Sequence, residues 1–249
     1  MRKLRYLVPN GFTITSMLLG LASASRSAAG DYHFGAWMIL WGVLLDKLDG
    51  SSARLLNASS PIGGELDSFA DFAVFGIAPA ALLYFRVRAL GLTGTTALLL
   101  LIGACAVYVT AAAVRLARFN ITTPPLGDRL FYGVPTTLCG AMVAAGFLTW
   151  EKHPIDDRLL LYSPVALVLL GALMVSRLLL PKLKRRRSLA VNLFQYGNVA
   201  AAYVCGPLML VPEYLFGLAT TYAVGGVVWC LAFPPATTVA DPAERELAA

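Results

Sequence analysis

Apolar residues occur along this chain in runs long enough to cross a membrane, and polar residues are concentrated in short breaks between the runs. A helix needs about 20 apolar residues to span the hydrocarbon core of a bilayer, which is about 30 Å thick. The pattern predicts eight spans, near residues 9–25, 33–56, 66–85, 93–119, 131–149, 159–180, 194–211 and 214–233. We therefore expect an all-α fold, a polytopic integral membrane helical bundle that forms one domain over residues 1–233 and ends in a short cytoplasmic tail at residues 234–249.

The composition agrees with a membrane protein. Of the 249 residues, 58% are hydrophobic and 14% are charged, and the mean hydropathy is +0.69. Soluble domains carry about 25% charged residues. A net charge of +6 would indicate nucleic-acid binding only if the basic residues formed a solvated face. This chain has too few charged residues to cover such a face. We expect no nucleic-acid partner.

The distribution of Lys and Arg predicts the orientation. With the N-terminus in the cytoplasm, 15 of the 20 Lys and Arg residues fall on the cytoplasmic side and five fall outside. Cytoplasmic loops normally carry this excess. We therefore expect both termini in the cytoplasm, in the cell (inner) membrane. A basic start before an apolar run also suits a cleaved signal peptide, but a Pro9-Asn10 break and the spans directly after it favour a retained helix.

Four aspartates lie at the ends of the second and third predicted spans. Asp46 and Asp49 are three residues apart, and Asp67 and Asp71 are four apart, so each pair shares one helical face. The polar, turn-rich segment 51–65 lets the two helices return antiparallel and brings these faces together near the cytoplasmic surface. An aspartate at membrane depth costs about 2.5–3.5 kcal/mol on insertion scales, so we expect the cluster to be functional.

The charge of the cluster predicts bound cations. Four neighbouring carboxylates repel one another in a low dielectric unless cations neutralise them, and two divalent ions would balance them. Oxygen ligands favour Mg²⁺, Mn²⁺ or Ca²⁺ over zinc, and paired ions of this kind stabilise the attacking and leaving oxygens in phosphoryl chemistry. Gly50, Ala53 and Gly63 leave room near the backbone for a large group, and Arg54 offers a fork for a phosphate oxygen.

These residues carry a family resemblance. The run Asp46-x-x-Asp49-Gly50-x-x-Ala53-Arg54, eight further residues, and then Gly63-x-x-x-Asp67-x-x-x-Asp71 resembles the signature of the CDP-alcohol phosphatidyltransferases at all eight fixed positions. The resemblance implies a bundle around a polar, cytoplasm-facing cavity that holds a CDP-linked lipid. It implies a CDP-binding set of Asp49, Gly50, Ala53, Arg54 and Gly63.

The resemblance also implies the chemistry. The four aspartates would bind two divalent cations, Mg²⁺ or Mn²⁺, and Asp71 would act as the general base on the acceptor hydroxyl. The acceptor would then attack the lipid-side phosphorus, and CMP would leave.

A second block concerns the acceptor. Arg115-Leu116-Ala117-Arg118-Phe119-Asn120 ends the fourth span, with both arginines on one face. From charge alone, the block could simply be a cytoplasmic anchor. With Gly133-Val134-Pro135 and Pro9-Asn10-x-Phe12-Thr13, it resembles the branch of the family whose acceptor is serine.

This second resemblance implies CDP-diacylglycerol and L-serine as substrates and phosphatidylserine as product. The arginine pair could hold the serine carboxylate while Asn120 accepts from the ammonium group. The same arginines could instead hold the phosphate of glycerol phosphate or inositol phosphate, and choline is another candidate acceptor.

Two other classes of membrane protein also have acidic residues within the membrane. An ion-coupled transporter would carry carboxylates near the midplane, discontinuous helices and inverted repeats, none of which is visible in the sequence. An intramembrane prenyltransferase uses aspartates and magnesium, but the pattern of Gly50, Ala53 and Arg54 does not suit it. The last two spans could cover the core or form a homodimer interface.

Overall fold

A computed structural model describes residues 6–92, 94–121, 130–182 and 188–233. It contains a helix at each of the eight predicted places. The helices are α1 (Leu7–Ala28), α2 (Tyr32–Leu55), α3 (Pro61–Asp71), α4 (Ala78–Ala89), α5 (Thr95–Ile121), α6 (Thr136–Lys152), α7 (Ser163–Val175), α8 (Leu189–Cys205) and α9 (Pro212–Ala232). A π-helical segment, Phe72–Ile77, joins α3 to α4 in one continuous helix, and a 3₁₀ turn, Asp157–Tyr162, precedes α7.

Five helical stretches are long and apolar enough to cross a membrane, and they identify the chain as a membrane protein. They are Leu7–Ala28, Pro61–Ala89, Thr95–Ile121, Asp157–Val175 and Pro212–Ala232. Helix α2 has 24 residues but carries four charged residues in its second half, and α6 and α8 have only 17 residues each. The count of eight spans and the cytoplasmic termini therefore stay predictions. The expected tail at residues 234–249 and the basic run Lys184–Arg187 lie outside the described residues.

The expected fifth and sixth spans are each shorter than predicted. Residues 131–135 were expected to be helical, but strand β1 (Leu130–Tyr132) pairs antiparallel there with β2 (Leu179–Pro181), and Phe131 lies opposite Leu180. Gly133 follows β1 with a φ of +66°, and a Cβ atom there would collide with the carbonyl oxygen of Met174. Only glycine fits this turn, which sets the start of α6.

Close helix packing depends on small residues, as expected for a membrane bundle. A Cβ atom on Gly20 of α1 would lie 2.9 Å from the backbone of Ala73 and Val74, so α1 lies directly against the π-helical segment. A Cβ atom on Gly140 of α6 would lie 3.0 Å from the Phe75 side chain. The core of the bundle is therefore built around the π-helical segment.

The π-helical segment has a local chemical cause. Pro79 has no backbone N–H to donate to the carbonyl of Phe75, four residues earlier, as an α-helix would require. The hydroxyl of Tyr108 on α5 donates to that carbonyl at 2.9 Å, and Tyr108 is fully buried. The wider turn thus begins directly after Asp71 and is supported from a neighbouring helix. Such segments are frequent at functional sites.

Candidate active site

The turn between α2 and α3 directs their acidic faces toward each other. Ser60 caps α3, because its hydroxyl accepts a hydrogen bond from the backbone N–H of Gly63 at 3.0 Å. Pro61 occupies the first helical turn, where a missing N–H costs nothing. Helix α3 therefore begins at a fixed residue and carries Asp67 back toward α2.

Three of the four predicted aspartates converge. Asp46, Asp49 and Asp67 each offer a carboxylate oxygen, and these oxygens all lie within 4.8 Å of one another. Asp49 is 5% exposed, and the Thr13 hydroxyl of α1 donates to its Oδ2 at 2.9 Å. This all-oxygen group fits a hard divalent cation, which would also neutralise the three clustered charges. We call these three residues the aspartate group.

Asp71 lies one turn beyond Asp67 and is not a member of the aspartate group. It lines a cavity of about 440 Å³ together with Asp46, Asp67, Arg115 and Asn120. We call this space the α3–α5 cavity. Asp71 therefore lies outside the aspartate group but shares the α3–α5 cavity with two of its members and with residues expected to hold the acceptor.

A second space of about 210 Å³ also borders the aspartate group, at Asp49 and Asp67, and we call it the α1–α2 cavity. It is lined by all five residues of the expected CDP-binding set, which are Asp49, Gly50, Ala53, Arg54 and Gly63. A Cβ atom on Gly50 would meet only an Arg54 nitrogen at 3.6 Å, an ordinary contact, so the space beside Gly50 is open. Asp67 lines both cavities.

The block from Arg115 to Asn120 divides between two places. Arg115 donates from Nη1 to the Thr136 hydroxyl of α6 at 2.7 Å, and its Nε is enclosed without a hydrogen-bond partner in the described residues. Asn120 donates to the Ser68 hydroxyl at 3.0 Å. Arg118 donates to the carbonyl of Val175 at the end of α7 at 3.1 Å and does not line the α3–α5 cavity. The expected pair of arginines therefore contributes one guanidinium to the cavity.

Two residues near the site were not assigned a role from the sequence. Thr13 orients Asp49 from α1, and Thr136 holds Arg115 from the start of α6. Both lie in or directly after segments that the resemblance singled out, Pro9-Asn10-x-Phe12-Thr13 and Gly133-Val134-Pro135. The motifs pointed to the right segments, but the contacts themselves join different helices and depend on the packing.

Comparison with known proteins identifies the family. A profile of the CDP-alcohol phosphatidyltransferase family matches residues 6–179. The chain belongs to the CDP-alcohol phosphatidyltransferase family. The match spans the aspartate group and both cavities. Members of this family generally use divalent metals, and the aspartate group could bind such an ion.

Several relatives of this phosphatidyltransferase are named CDP-diacylglycerol–serine O-phosphatidyltransferase. The chain is 35% identical to the Helicobacter pylori protein over 182 residues, which is 72% of this chain and 74% of the relative. It is 33% identical to the Bacillus subtilis protein over 184 residues, covering 72% and 92% of the two chains. It is 31% identical to the Methanocaldococcus jannaschii protein over 191 residues, covering 77% and 81%.

Proposed function

We propose that this enzyme transfers a phosphatidyl group from CDP-diacylglycerol to the hydroxyl of L-serine, releasing CMP and forming phosphatidylserine. The observation that carries the proposal is that two cavities border the aspartate group and share Asp67. One is lined by the CDP-binding set, and the other by Asp71, Arg115 and Asn120. The names of the relatives supply the acceptor. We place the reaction at the cytoplasmic face of the cell (inner) membrane.

For metal binding, we add Asp71 to the three residues of the aspartate group. Asp46, Asp49, Asp67 and Asp71 would hold two divalent cations, Mg²⁺ or Mn²⁺. Bound there, the ions would stabilise charge on the attacking and leaving oxygens of the transfer. Thr13 would keep the Asp49 carboxylate in the orientation that ligation needs, because its hydroxyl is fixed on Oδ2.

The lipid substrate would enter with its nucleotide in the α1–α2 cavity. Gly50, Ala53 and Gly63 keep the backbone accessible there, and the guanidinium of Arg54 can donate to phosphate oxygens. These contacts would orient the diphosphate so that its lipid-side phosphorus faces the aspartate group and the α3–α5 cavity.

The acceptor would enter the α3–α5 cavity. The Arg115 guanidinium would attract the serine carboxylate, and the Asn120 side-chain carbonyl would accept from the ammonium group. Asp71 would take the proton from the serine hydroxyl. The serine oxygen then bonds to the lipid-side phosphorus, the bond from that phosphorus to the bridging oxygen breaks, and CMP leaves with that oxygen.

The experiment is CMP release by the purified enzyme with CDP-diacylglycerol, Mg²⁺ or Mn²⁺, and a panel of labelled alcohols. We expect release with serine, loss of release with a chelator, and recovery when the ion returns. Release with inositol phosphate, glycerol phosphate or choline but not with serine would refute the serine acceptor and keep the family chemistry. The Arg115 guanidinium would suit a phosphate as well as a carboxylate, so this alternative has a structural basis.

The general base is tested separately. We expect Asp71→Asn to lower kcat by at least about 100-fold, since a positioned base contributes about 10²–10⁴-fold. The matched control is Asp31→Asn. Asp31 caps the opposite end of α2, asparagine also caps helices well, and the exposed ion pair of Asp31 with Arg26 contributes little. An Asp71→Asn enzyme with full activity would remove the role of base.

The family assignment favours phosphatidyl transfer over the transporter and prenyltransferase alternatives. We keep a homodimer through α8 and α9 as part of the proposal, because none of the residues of α8 is buried.

A further inference from the structure

The guanidinium of Arg115 is hydrogen-bonded to Thr136, a residue with no role in the proposed function so far. Thr136 is 0% exposed, and its hydroxyl accepts the hydrogen bond from Arg115 Nη1 at 2.7 Å. It is the first residue of α6, yet the start of that helix has no side-chain cap, so the hydroxyl is used for Arg115 and not for the helix.

The backbone just before Thr136 is anchored by two hydrogen bonds to the segment at the end of α7. The N–H of Gly133 donates to the carbonyl of Leu178 at 2.8 Å, and the N–H of Val134 donates to the carbonyl of Leu173 at 3.1 Å. Thr136 is therefore a rigid acceptor for a long, flexible side chain. Holding one end of a guanidinium reduces the conformational entropy that ligand binding would otherwise have to remove.

The hydrogen bond between Arg115 and Thr136 matters because Arg115 lies near Asp71. Both residues line the α3–α5 cavity, and their opposite charges attract each other. In the part of the chain that the structure describes, however, Arg115 forms no ion pair with any carboxylate. Its Nε is enclosed and unpaired. A direct ion pair between Arg115 and Asp71 would occupy both the general base and the guanidinium that is proposed to bind the acceptor.

We propose that Thr136 is a positioning residue that holds Arg115 away from Asp71 and directs its guanidinium to the anionic group of the acceptor. This inference rests on the proposed function. Asp71 stays available to take the hydroxyl proton, and Arg115 stays available for the carboxylate.

The test uses the full-length enzyme with its divalent ion and compares Thr136→Val, which keeps the shape and removes the acceptor, with Thr136→Ser, which keeps the hydroxyl. Thr149→Val is the matched control, because Thr149 lies on the same helix and its hydroxyl only donates to the carbonyl of Ala145 at 2.8 Å. Initial rates of CMP release are measured against serine and against CDP-diacylglycerol. L-Serinamide, which lacks the carboxylate, is measured as a second acceptor.

We expect Thr136→Val to raise the KM for serine about tenfold and to change the KM for CDP-diacylglycerol by less than about twofold. The preference for serine over serinamide should fall about tenfold, because the lost interaction concerns the carboxylate. Thr136→Ser should restore both values, and Thr149→Val should match the unmodified enzyme.

An unchanged KM for serine, an equal rise in both KM values, or an intact preference over serinamide would overturn the inference. Thr136→Ala is made in parallel. Should both Thr136→Val and Thr136→Ala fail to fold while Thr149→Val folds, the role of Thr136 is structural and the inference is also overturned. A failure of the proposed acceptor looks different, because the unmodified enzyme would then release no CMP with serine, and the same variants would be measured with the phosphate-bearing acceptor that works.

Discussion

The α1–α2 cavity makes a prediction in which stability and activity change in opposite directions. Gly50 lies in the interior of α2, where glycine is less favourable than alanine by about 0.5–1 kcal/mol. An added Cβ atom would touch only a nitrogen of Arg54, at 3.6 Å. The fold itself therefore gives no reason for glycine at this position. We expect Gly50→Ala to raise the free energy of unfolding by about 0.5–1 kcal/mol.

Substrate binding should respond in the opposite sense. The methyl group of Gly50→Ala would enter a cavity of about 210 Å³ that we assign to the nucleotide. With the nucleotide bound, the added methyl group would overfill the site at a cost of about 1–3 kcal/mol, which corresponds to a rise of about 5- to 150-fold in the KM for CDP-diacylglycerol. The KM for serine should change little, because serine would bind in the other cavity.

Two measurements test this prediction in detergent micelles: unfolding by titration with a denaturing detergent, and CMP release against CDP-diacylglycerol. Gly103→Ala in α5 and Gly217→Ala in α9 are matched controls, since nothing lies within 4 Å of a Cβ atom at either position. Both should gain stability and keep the KM of the unmodified enzyme. A Gly50→Ala enzyme with an unchanged KM would refute the nucleotide assignment, and one that is less stable would show that the fold requires this glycine.

Three further predictions concern the supports of the site. Thr13→Val removes the 2.9 Å hydrogen bond to Asp49 and should raise the Mg²⁺ concentration for half-maximal activity about tenfold, and an unchanged Mg²⁺ titration would contradict the orienting role. Tyr108→Phe removes the 2.9 Å hydrogen bond to the Phe75 carbonyl and should lower the free energy of unfolding by about 1–3 kcal/mol in the same detergent titration. A change below about 0.5 kcal/mol, as for a surface substitution, would refute this support of the π-helical segment. Gly133→Ala imposes a φ of +66° on a residue with a side chain and should lower the yield of folded enzyme in size-exclusion chromatography, which a normal yield would contradict.

The places of the helices could be predicted from the sequence because runs of apolar residues are long and their breaks are polar. The ends were harder to predict. The fifth span was expected from residue 131, but α6 begins at Thr136 because a strand of three residues, Leu130–Tyr132, precedes it. Three residues are too few to show the alternation by which a strand is recognised.

The convergence of the acidic faces could also be predicted, because residue spacing fixes which side chains share a helical face. The spacing does not fix distances between helices. Asp67 and Asp71 share a face of α3, yet only Asp67 joins the aspartate group. Likewise Arg115 and Arg118 share a face of α5 but contact different elements, since α6 lies beside one and the end of α7 beside the other.

The two parts of the continuous helix over Pro61–Ala89 should respond differently to amino-acid substitution. Helix α3 buries only Ala70, whereas most residues of α4 before Tyr84 are buried, together with Val74, Phe75 and Gly76 of the π-helical segment. Sequence change in the first part of this helix should therefore yield folded protein with altered turnover, and change in the later part should yield less protein with normal turnover per molecule. A library of single substitutions over this helix, sorted separately for abundance and for phospholipid synthesis, would show a border at the π-helical segment.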